Sequence, residues 1–502
     1  MATFANVGTG SSLKYGIGLC SIFLAIYLAF PTANPSSDAW GYAQEILTGK
    51  WFSPHHLLHH AWMKAGLLVM DVLGGTSEPI TRMQQWNAVG AAFALMGFFL
   101  LCARRFGLQT ALAFTAFAGS CFGFMRFATE NETYIWPIAC SVWGSFFLVS
   151  YNAGEKKQSL WLAFLLLSLA VLLHQIHIFW LISACVFCIT KLKKTGPPIA
   201  SFVLIGGAYS AVALALGISV FQYPFTDVSA GQVQVIPDLN NLIFTTINFS
   251  RTFVQIHGLI PNLFKANWYI LPAIIFTALA FMWAVYQFFK SREDNPVKKD
   301  NFTGYFRTAF WLQLAFAAYS VGNAEFMVML PMLLLSGWSQ QMGKKLKSIW
   351  GLAAALLVYN LFVWVIPANS LLFTGQSGPE IIIRKIPEQS FGFVAMDRVL
   401  EENRWAYQIS AYKESRPVVY FIQFPGQPEE YEWFKKETNR LFKAGIPVYT
   451  DCIDFPHVLN RAAMLHQATD TVFNALQRKK TAEQRTPRGK WYLYQLTPKS
   501  TP

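Results

Sequence analysis

Ala88-Val-Gly-Ala-Ala-Phe-Ala-Leu-Met-Gly-Phe-Phe-Leu-Leu-Cys-Ala103, followed at once by Arg104-Arg105, is the stretch that decides the fold. An uncharged apolar run of this length, closed by two arginines, reads as a membrane-spanning helix with its basic end in the cytoplasm. The same pattern recurs along the chain. Spans are expected at 15–30, 88–103, 109–124, 134–151, 160–173, 177–190, 199–219, 268–289, 306–321, 325–339 and 349–366, eleven in all. The first lacks a small-residue cleavage signature and reads as an uncleaved helix that also targets the protein.

Loop charges give the orientation. Arg104-Arg105, Glu155-Lys156-Lys157, Lys191 with Lys193-Lys194, the segment from Lys290 to Lys299, and Lys344-Lys345 with Lys347 fall on one side if the spans alternate, and Lys14 joins them. That side is cytoplasmic. One span more or fewer would scatter these charges. Ala61–Leu73, which holds Lys64 and Asp71, is therefore read as an interfacial amphipathic helix.

Composition agrees. Of 502 residues, 54% are hydrophobic and 13% charged, against about 25% charged in soluble domains. The net charge is +13, but basic residues sit in short loops between spans, which argues against nucleic acid. Six of the seven cysteines fall in or beside apolar runs, so no disulfide framework is written here. Cys185-x-x-Cys188 lies inside a span and reads as packing.

From about residue 367 charges become dense. Strand-like runs (Val418–Gln423, Pro447–Thr450, Lys490–Gln495) alternate with helical patterns (Glu429–Ala444, Pro456–Arg478). The expected architecture is an α-helical polytopic membrane domain over 1–366, with 31–87 as its first external loop. A small α/β extracytoplasmic domain follows over 367–502, and its tail 479–489 reads as basic and loosely ordered.

Ionisable residues beside spans are costly and therefore candidate functional sites. Asp38, in Ser36-Ser37-Asp38-Ala39-Trp40-Gly41-Tyr42, could take a proton from a nucleophile or ligate a divalent cation. It could also cap a helix over Ala39–Leu47, as could Ser37. Trp40 and Tyr42 are substrate or structural candidates. In Pro54-His55-His56-Leu57-Leu58-His59-His60, the pairs His55/His59 and His56/His60 have i, i+4 spacing. On a helix they could hold phosphate oxygens or a metal, or lie at headgroup height. Asp38, His55 and His59 are the metal candidates, for Mg, Mn or Zn.

Arg126-Phe-Ala-Thr-Glu130-Asn-Glu132 offers two carboxylates and a guanidinium for sugar or phosphate. Its plain alternative is a solvated loop in which Arg126 pairs with Glu130. Asn131-Glu132-Thr133 is also a glycosylation sequon. His174-Gln-Ile-His177 occupies a tight turn, Glu325 opens a later span, and Arg251 lies in the loop 220–267. The expected topology puts all of these on the non-cytoplasmic face, around a polar cavity suited to a lipid with a charged head.

With that layout the chain resembles the GT-C superfamily of membrane glycosyltransferases, nearest to the protein O-mannosyltransferase and aminoarabinose-transferase branch. The resemblance implies an essential acidic residue in the first external loop, where Asp38 stands, and further acids between the third and fourth spans, where Glu130 and Glu132 stand. It implies a polyprenyl-phosphate-linked sugar donor, inverting transfer to a lipid, glycan or protein acceptor, and in some members a divalent metal. Asp38, Glu130 and Glu132 become the catalytic candidates. His55, His56, Arg126, His174, His177 and Arg251 become the donor-phosphate candidates; His59, His60 and Glu325 are substrate or structural. The chain departs from the pattern in having no acid adjacent to Asp38 and an acid, Glu325, where many relatives start a late span with a basic residue. The implied location is a bacterial inner membrane, with the N-terminus cytoplasmic and the C-terminal domain periplasmic. The rival reading is a multi-pass transporter or flippase of a lipid-linked or anionic substrate. Such proteins favour inverted repeats, and no repeat is visible.

Overall fold

A computed structural model describes residues 10–154, 156–220, 239–255, 263–264, 267–290, 301–320, 324–373, 377–386, 389–412, 416–425, 430–453, 472–487 and 489–499. Most of the loop 220–267, including His257, and most of the helical pattern Pro456–Arg478 lie outside the described residues. The chain divides into two compact units. One comprises 1–31, 50–256 and 271–366; the other comprises 32–49, 257–270 and 367–502. Two segments from before residue 366 thus join the C-terminal residues.

The first unit is helical. Its elements include α1 (Gly10–Ala29), α3 (His59–Val72), α4 (Pro79–Phe106), α5 (Leu108–Ser120), α6 (Phe122–Ala128), α7 (Ile135–Asn152), α8 (Lys157–Leu173), α9 (Ile178–Phe187), α10 (Gly196–Ala215), α11 (Leu239–Phe253) and α12 (Ile270–Lys290). They continue with α13 (Thr303–Tyr319), α14 (Leu330–Gly337), α15 (Ser339–Gly343) and α16 (Leu346–Asn360). Five helical stretches among the described residues are long and apolar enough to cross a membrane: Pro79–Phe106, Gln175–Leu192, Gly196–Ala215, Ile270–Lys290 and Leu346–Ser370. A sixth is counted if α5 and α6, bent by 68° at their junction, make one span. Leu13–Ala29, Lys157–Leu173 and Ala324–Gly337 are apolar but shorter. Among the described residues, length and apolarity therefore mark five or six spans, where the sequence reading expects eleven along the whole chain.

The α5–α6 break corrects the expected straight span at 109–124. Cys121 is extended, with φ −65° and ψ 136°. Ser120 Oγ and Cys121 Sγ turn back onto the carbonyls of Ala116 and Phe117, a local alternative to continuing the helix. The Ser120 carbonyl that the break releases accepts from Asn360 Nδ2 at 2.9 Å. Asn360 Nδ2 also donates to the Phe253 carbonyl, and its Oδ1 accepts from the Gln255 amide. One buried asparagine thus satisfies three backbone groups that an apolar interior would leave unpaired.

α3 is a helix containing Lys64 and Asp71, as read. Asp71 pairs with Arg82 of α4, and Lys64 lies 4.0 Å over the Trp51 ring. Leu68, Val72 and Leu73 are exposed apolar residues. Gly90 of α4 lies against Trp136 of α7, where a Cβ would stand 2.7 Å from the indole, so this crossing requires glycine.

The second unit carries a five-stranded sheet of order β2-β1-β3-β5-β4: β1 (Phe391–Ala395), β2 (Val419–Gln423), β3 (Val448–Thr450), β4 (Leu476–Thr486) and β5 (Gly489–Pro498). β1, β2 and β3 are parallel; β5 is antiparallel to β3 and β4. β1 reads Phe-Gly-Phe-Val-Ala and is buried throughout. A central parallel strand is covered on both faces, which is why it shows a continuous apolar run. Phe391 and Phe393 pack with Trp491 and Leu493 on one face; Val394 packs with Phe434, Leu441 and Leu496 on the other. The tail 479–489, read from the sequence as loosely ordered, instead supplies most of strand β4 and the first residue of β5.

Segment 32–49 joins this unit through specific bonds. Asn34 Nδ2 donates to the carbonyls of Ala368 and Leu371, and its Oδ1 accepts from the Phe373 amide at 2.7 Å. α2 (Ser37–Leu47) lies on the helix Arg398–Tyr412: Asn403 Nδ2 donates to the Ser37 carbonyl, and Trp40 meets Tyr407 with ring centroids 5.0 Å apart.

Candidate functional site

Within the first unit, the turn His174–His177 and the segment 54–60 are joined by backbone. The Gln175 amide donates to the His55 carbonyl, and the Leu58 amide donates to the Leu172 carbonyl at 2.9 Å. Gln175 Nε2 donates to the Pro54 carbonyl and to Tyr209 Oη. His55 Nδ1 lies 3.3 Å from Gln175 Oε1. These bonds hold 54–58 as a turn, and helix α3 starts only at His59. The expected helical pairs His55/His59 and His56/His60 are therefore not formed as pairs on one helix. The rings form a chain instead: His55–His56 at 6.3 Å, His56–His59 at 6.3 Å and His59–His60 at 5.8 Å.

The contact that the sequence hides is between His56 and His174, whose ring centroids are 4.3 Å apart. His174 is 5% exposed. Its Nδ1 accepts the Ile176 amide hydrogen at 3.3 Å, so in the neutral ring the proton sits on Nε2. That Nε2 is buried and has no partner among the described residues. Burial, and then the neighbouring His56, His177, His59 and His55, hold His174 well below its ordinary pKa. The neutral ring offers this N–H as a hydrogen-bond donor. Burial and the adjacent His60 and His56 likewise depress His59.

Tyr134 connects this imidazole chain to the carboxylates. Its ring lies 5.0 Å from His174, and its hydroxyl donates to Glu325 Oε2 at 3.0 Å. Arg126 bonds Glu130 Oε2 through Nε at 3.3 Å and has Nη2 3.9 Å from Glu325 Oε1. The Arg126–Glu130 pair is present, but the loop around it is buried rather than solvated. Glu130 and Glu132 are 2% and 3% exposed, and Asn131 of the sequon is equally closed to glycosylation. Asn87 of α4 fixes the loop by donating to the carbonyls of Glu130 and Glu132, both at 2.7 Å. Glu325 sits on a short 3-10 turn, Ala324–Met327. Arg251, at the C-terminal end of α11, bonds Asn248 Oδ1. Burial and the nearby Arg126 charge lower its pKa from the ordinary value. Two guanidiniums near one another in a partly buried place favour a bound anion.

His177 faces elsewhere. Its Nδ1 meets Ser141 Oγ at 2.7 Å, and its ring stacks on Trp180. Ser145, Tyr305 and Trp180 extend this as a buried polar ladder, with Trp180 Nε1 donating to Tyr305 Oη at 2.7 Å. Such interhelical bonds lock packing in an apolar medium.

Asp38 belongs to the second unit. Ser36, extended at φ −65° and ψ 168°, is the helix cap and accepts from the Ala39 amide at 3.0 Å. The expectation that Ser37 or Asp38 caps is thereby corrected; Asp38 lies in the first turn with its side chain exposed. Trp40 is committed to packing on Tyr407, and Arg404 lies 5.8 Å over its ring. Tyr42 lies one helical turn beyond Asp38 and is half-buried.

Among the described residues, no group of three or more His, Cys, Asp or Glu side chains is placed to hold a metal ion. The expected set of Asp38, His55 and His59 is split between the two units. Sequence reasoning missed Asn87, Tyr134, Gln175, Tyr209 and Asn360, all uncharged residues inside or beside apolar runs.

No family model matches the chain, and no curated protein matches it by sequence. Solved structures do match. ArnT from Cupriavidus metallidurans, bound to undecaprenyl phosphate, is 12% identical, with 96% of this chain and 98% of that chain covered and a TM-score of 0.43. Its apo state gives 11%, 97%, 98% and 0.45. The oligosaccharyltransferase of Archaeoglobus fulgidus, in complex with Zn and sulfate, is 13% identical over 94% of this chain and 72% of that chain, with a TM-score of 0.40. Both names fall within the glycosyltransferase resemblance read from the sequence. Likeness at this level leaves the activity of this chain to be argued from its own residues.

Proposed function

We propose that this chain is a glycosyltransferase that takes a sugar from a polyprenyl-phosphate-linked donor, with the polar cluster of the first unit as its donor-phosphate site. One observation carries the reading: the buried Nε2–H of His174, without a partner among the described residues, beside His56 and beside Tyr134, which bonds Glu325. A buried donor without an acceptor is costly, of the order of 1–3 kcal/mol. A phosphate oxygen would accept its hydrogen. Arg126 and Arg251 supply charge for a dianionic leaving group.

An apolar cavity of about 450 Å³ supports a lipid-linked donor. It is lined by Phe117, Phe253, Ile274, Phe281, Leu356 and Tyr359, and Phe253 is two residues from Arg251. It can take part of a prenyl chain while the phosphate stays with the polar cluster.

In the reaction, an acceptor oxygen or nitrogen attacks the anomeric carbon as the bond to the phosphate oxygen breaks, and configuration inverts. The acceptor proton goes to a carboxylate and the electron pair leaves with the lipid phosphate. Asp38 is proposed as that base on the resemblance, with Glu130 and Glu132 as the further acidic pair. Glu325, bonded to Tyr134, is added here as a residue that positions the cluster. A divalent metal is not required by this scheme. The eleven-span topology, with the N-terminus cytoplasmic and the C-terminal residues periplasmic, is proposed with it; cysteine accessibility from either side of sealed vesicles tests it.

The deciding experiment is transfer or hydrolysis from a panel of polyprenyl-phosphate sugars by the purified full chain, with Asp38→Asn in parallel. Activity with one donor, lost in the variant, supports the transferase. Silence across the panel from folded protein supplied with divalent cations and acceptors favours a transporter.

A further inference from the structure

The second unit carries its charge in one place. Between Leu476 and Lys499 the sequence holds seven Lys or Arg against a single acid, Glu483, whereas residues 367–475 hold eleven basic against thirteen acidic residues. The structure folds the basic stretch into the β4–β5 hairpin, with β4 as the edge strand of the sheet. Strand geometry sorts its side chains by face. Trp491 and Leu493 point into the core and are fully buried. The alternate positions Lys490, Tyr492 and Tyr494 take the other face, opposite Arg485, Glu483 and Lys480 respectively.

At the turn end of the hairpin that face is open and cationic, whereas towards Tyr494 and Leu496 it packs on the core with Val394 and Leu441. Arg485 is exposed, and the side chains of Lys480 and Lys490 are 47% and 53% exposed. Lys480 lies 4.1 Å over the Tyr492 ring. Glu483 bonds both lysines, at 3.2 Å each, so it spaces them without cancelling them. Protection of an edge strand explains a lysine or two on β4. It does not explain Lys490, which lies on the inner strand β5, nor the segregation of charge onto this hairpin.

We propose that this end of the hairpin is a docking surface for a bilayer rich in anionic phospholipid, with Lys480, Arg485 and Lys490 meeting headgroup phosphates and Tyr492 lying at headgroup level. Charge complementarity selects the occupant. Basic residues gain near an anionic surface, and amphipathic tyrosines prefer the membrane–water boundary. A chain with five or six stretches among the described residues long and apolar enough to cross a membrane keeps a bilayer at high local concentration. The inference is independent of any sugar-transfer activity.

The test labels lysines of the full-length protein in nanodiscs with an amine acylating reagent and reads each site by mass spectrometry. Lys479 pairs with Gln495, on the opposite face of the same strand, and serves as the internal control. Replacing phosphatidylcholine by phosphatidylglycerol should slow acylation of Lys480 and Lys490 about fivefold relative to Lys479. Molar salt should remove the effect. Arg485→Gln should weaken it while the thermal unfolding of the protein stays unchanged. Equal rates in the two lipids, equal slowing at Lys479, or full protection in Arg485→Gln would each overturn the proposal. So would protection by inorganic polyphosphate in detergent with none from phosphatidylglycerol, which would assign the face to a soluble polyanion.

Discussion

The Tyr134 hydroxyl donates to Glu325 Oε2 at 3.0 Å across 191 residues of sequence, and so joins the imidazole chain around His174 to the ion group around Arg126. The tyrosine opens α7, and the glutamate sits on the turn before α14. Neither residue has meaning for the site without the other.

Tyr134→Phe should keep the ring contact with His174 and lose only this bond. We expect about tenfold lower turnover on the donor identified in the panel, in line with about 1.4 kcal/mol for one hydrogen bond to a charged group. Donor KM should change little. Steady-state kinetics check this, and unchanged turnover would remove the bond from the site's working parts.

His174→Phe should raise donor KM by about tenfold or more, because the buried Nε2–H no longer meets the phosphate. His174→Gln, which can supply an N–H, should recover part of that loss. The pH dependence has a defined sign. The folded pKa lies below the ordinary histidine value near 6.5, so the native state binds fewer protons than the unfolded one. Stability from this group is full above about pH 6.5 and is lost as pH falls towards the folded value. Thermal unfolding in detergent should show an acid-side loss that is smaller in His174→Gln.

Asn87→Ala should destabilise by about 1–3 kcal/mol, since two buried carbonyls, of Glu130 and Glu132, lose their shared donor. The acidic loop should loosen with it. Thermal unfolding and hydrogen exchange over 128–134 measure the two effects, and a normal exchange pattern would contradict the clamp.

Asp451→Asn tests the second unit. Asp451 is 6% exposed and accepts from Trp491 Nε1 at 3.3 Å. Burial first, and then the Glu401 charge, push its carboxyl from 3.8 up to about 7. The raised folded value means the protonated form stabilises the native state. That contribution is complete below about pH 3.8 and is lost as pH rises to about 7. Wild-type labelling of the buried Cys452 thiol should accelerate over this window beyond the reagent's own pH trend. Asp451→Asn should flatten the excess and protect Cys452 above pH 7.

The sequence by itself determined the membrane character and marked the candidate residues by type. Apolar runs closed by arginines can satisfy their backbone only as helices in a bilayer, and Asp38, Glu130, Glu132, Glu325 and the histidines stand out because charge near a span is costly. It also marked β2, β3 and β5 by β-branched and aromatic runs. What it misread, it misread for local reasons. A helical spacing suggested pairs within 55–60, but backbone bonds to Leu172 and Gln175 hold that segment as a turn and place His56 on His174. The α5–α6 break rests on Asn360, 240 residues from Ser120. The basic run 479–489 looked unstructured because its outward face has no apolar residue; Trp491 and Leu493 on the paired strand fix it. Tertiary structure decided which ionisable groups share one buried place and which, like Asp38, belong to another unit. The physical reason is that composition sets the cost of burying a polar group, whereas its partner is set by contacts between residues hundreds of positions apart.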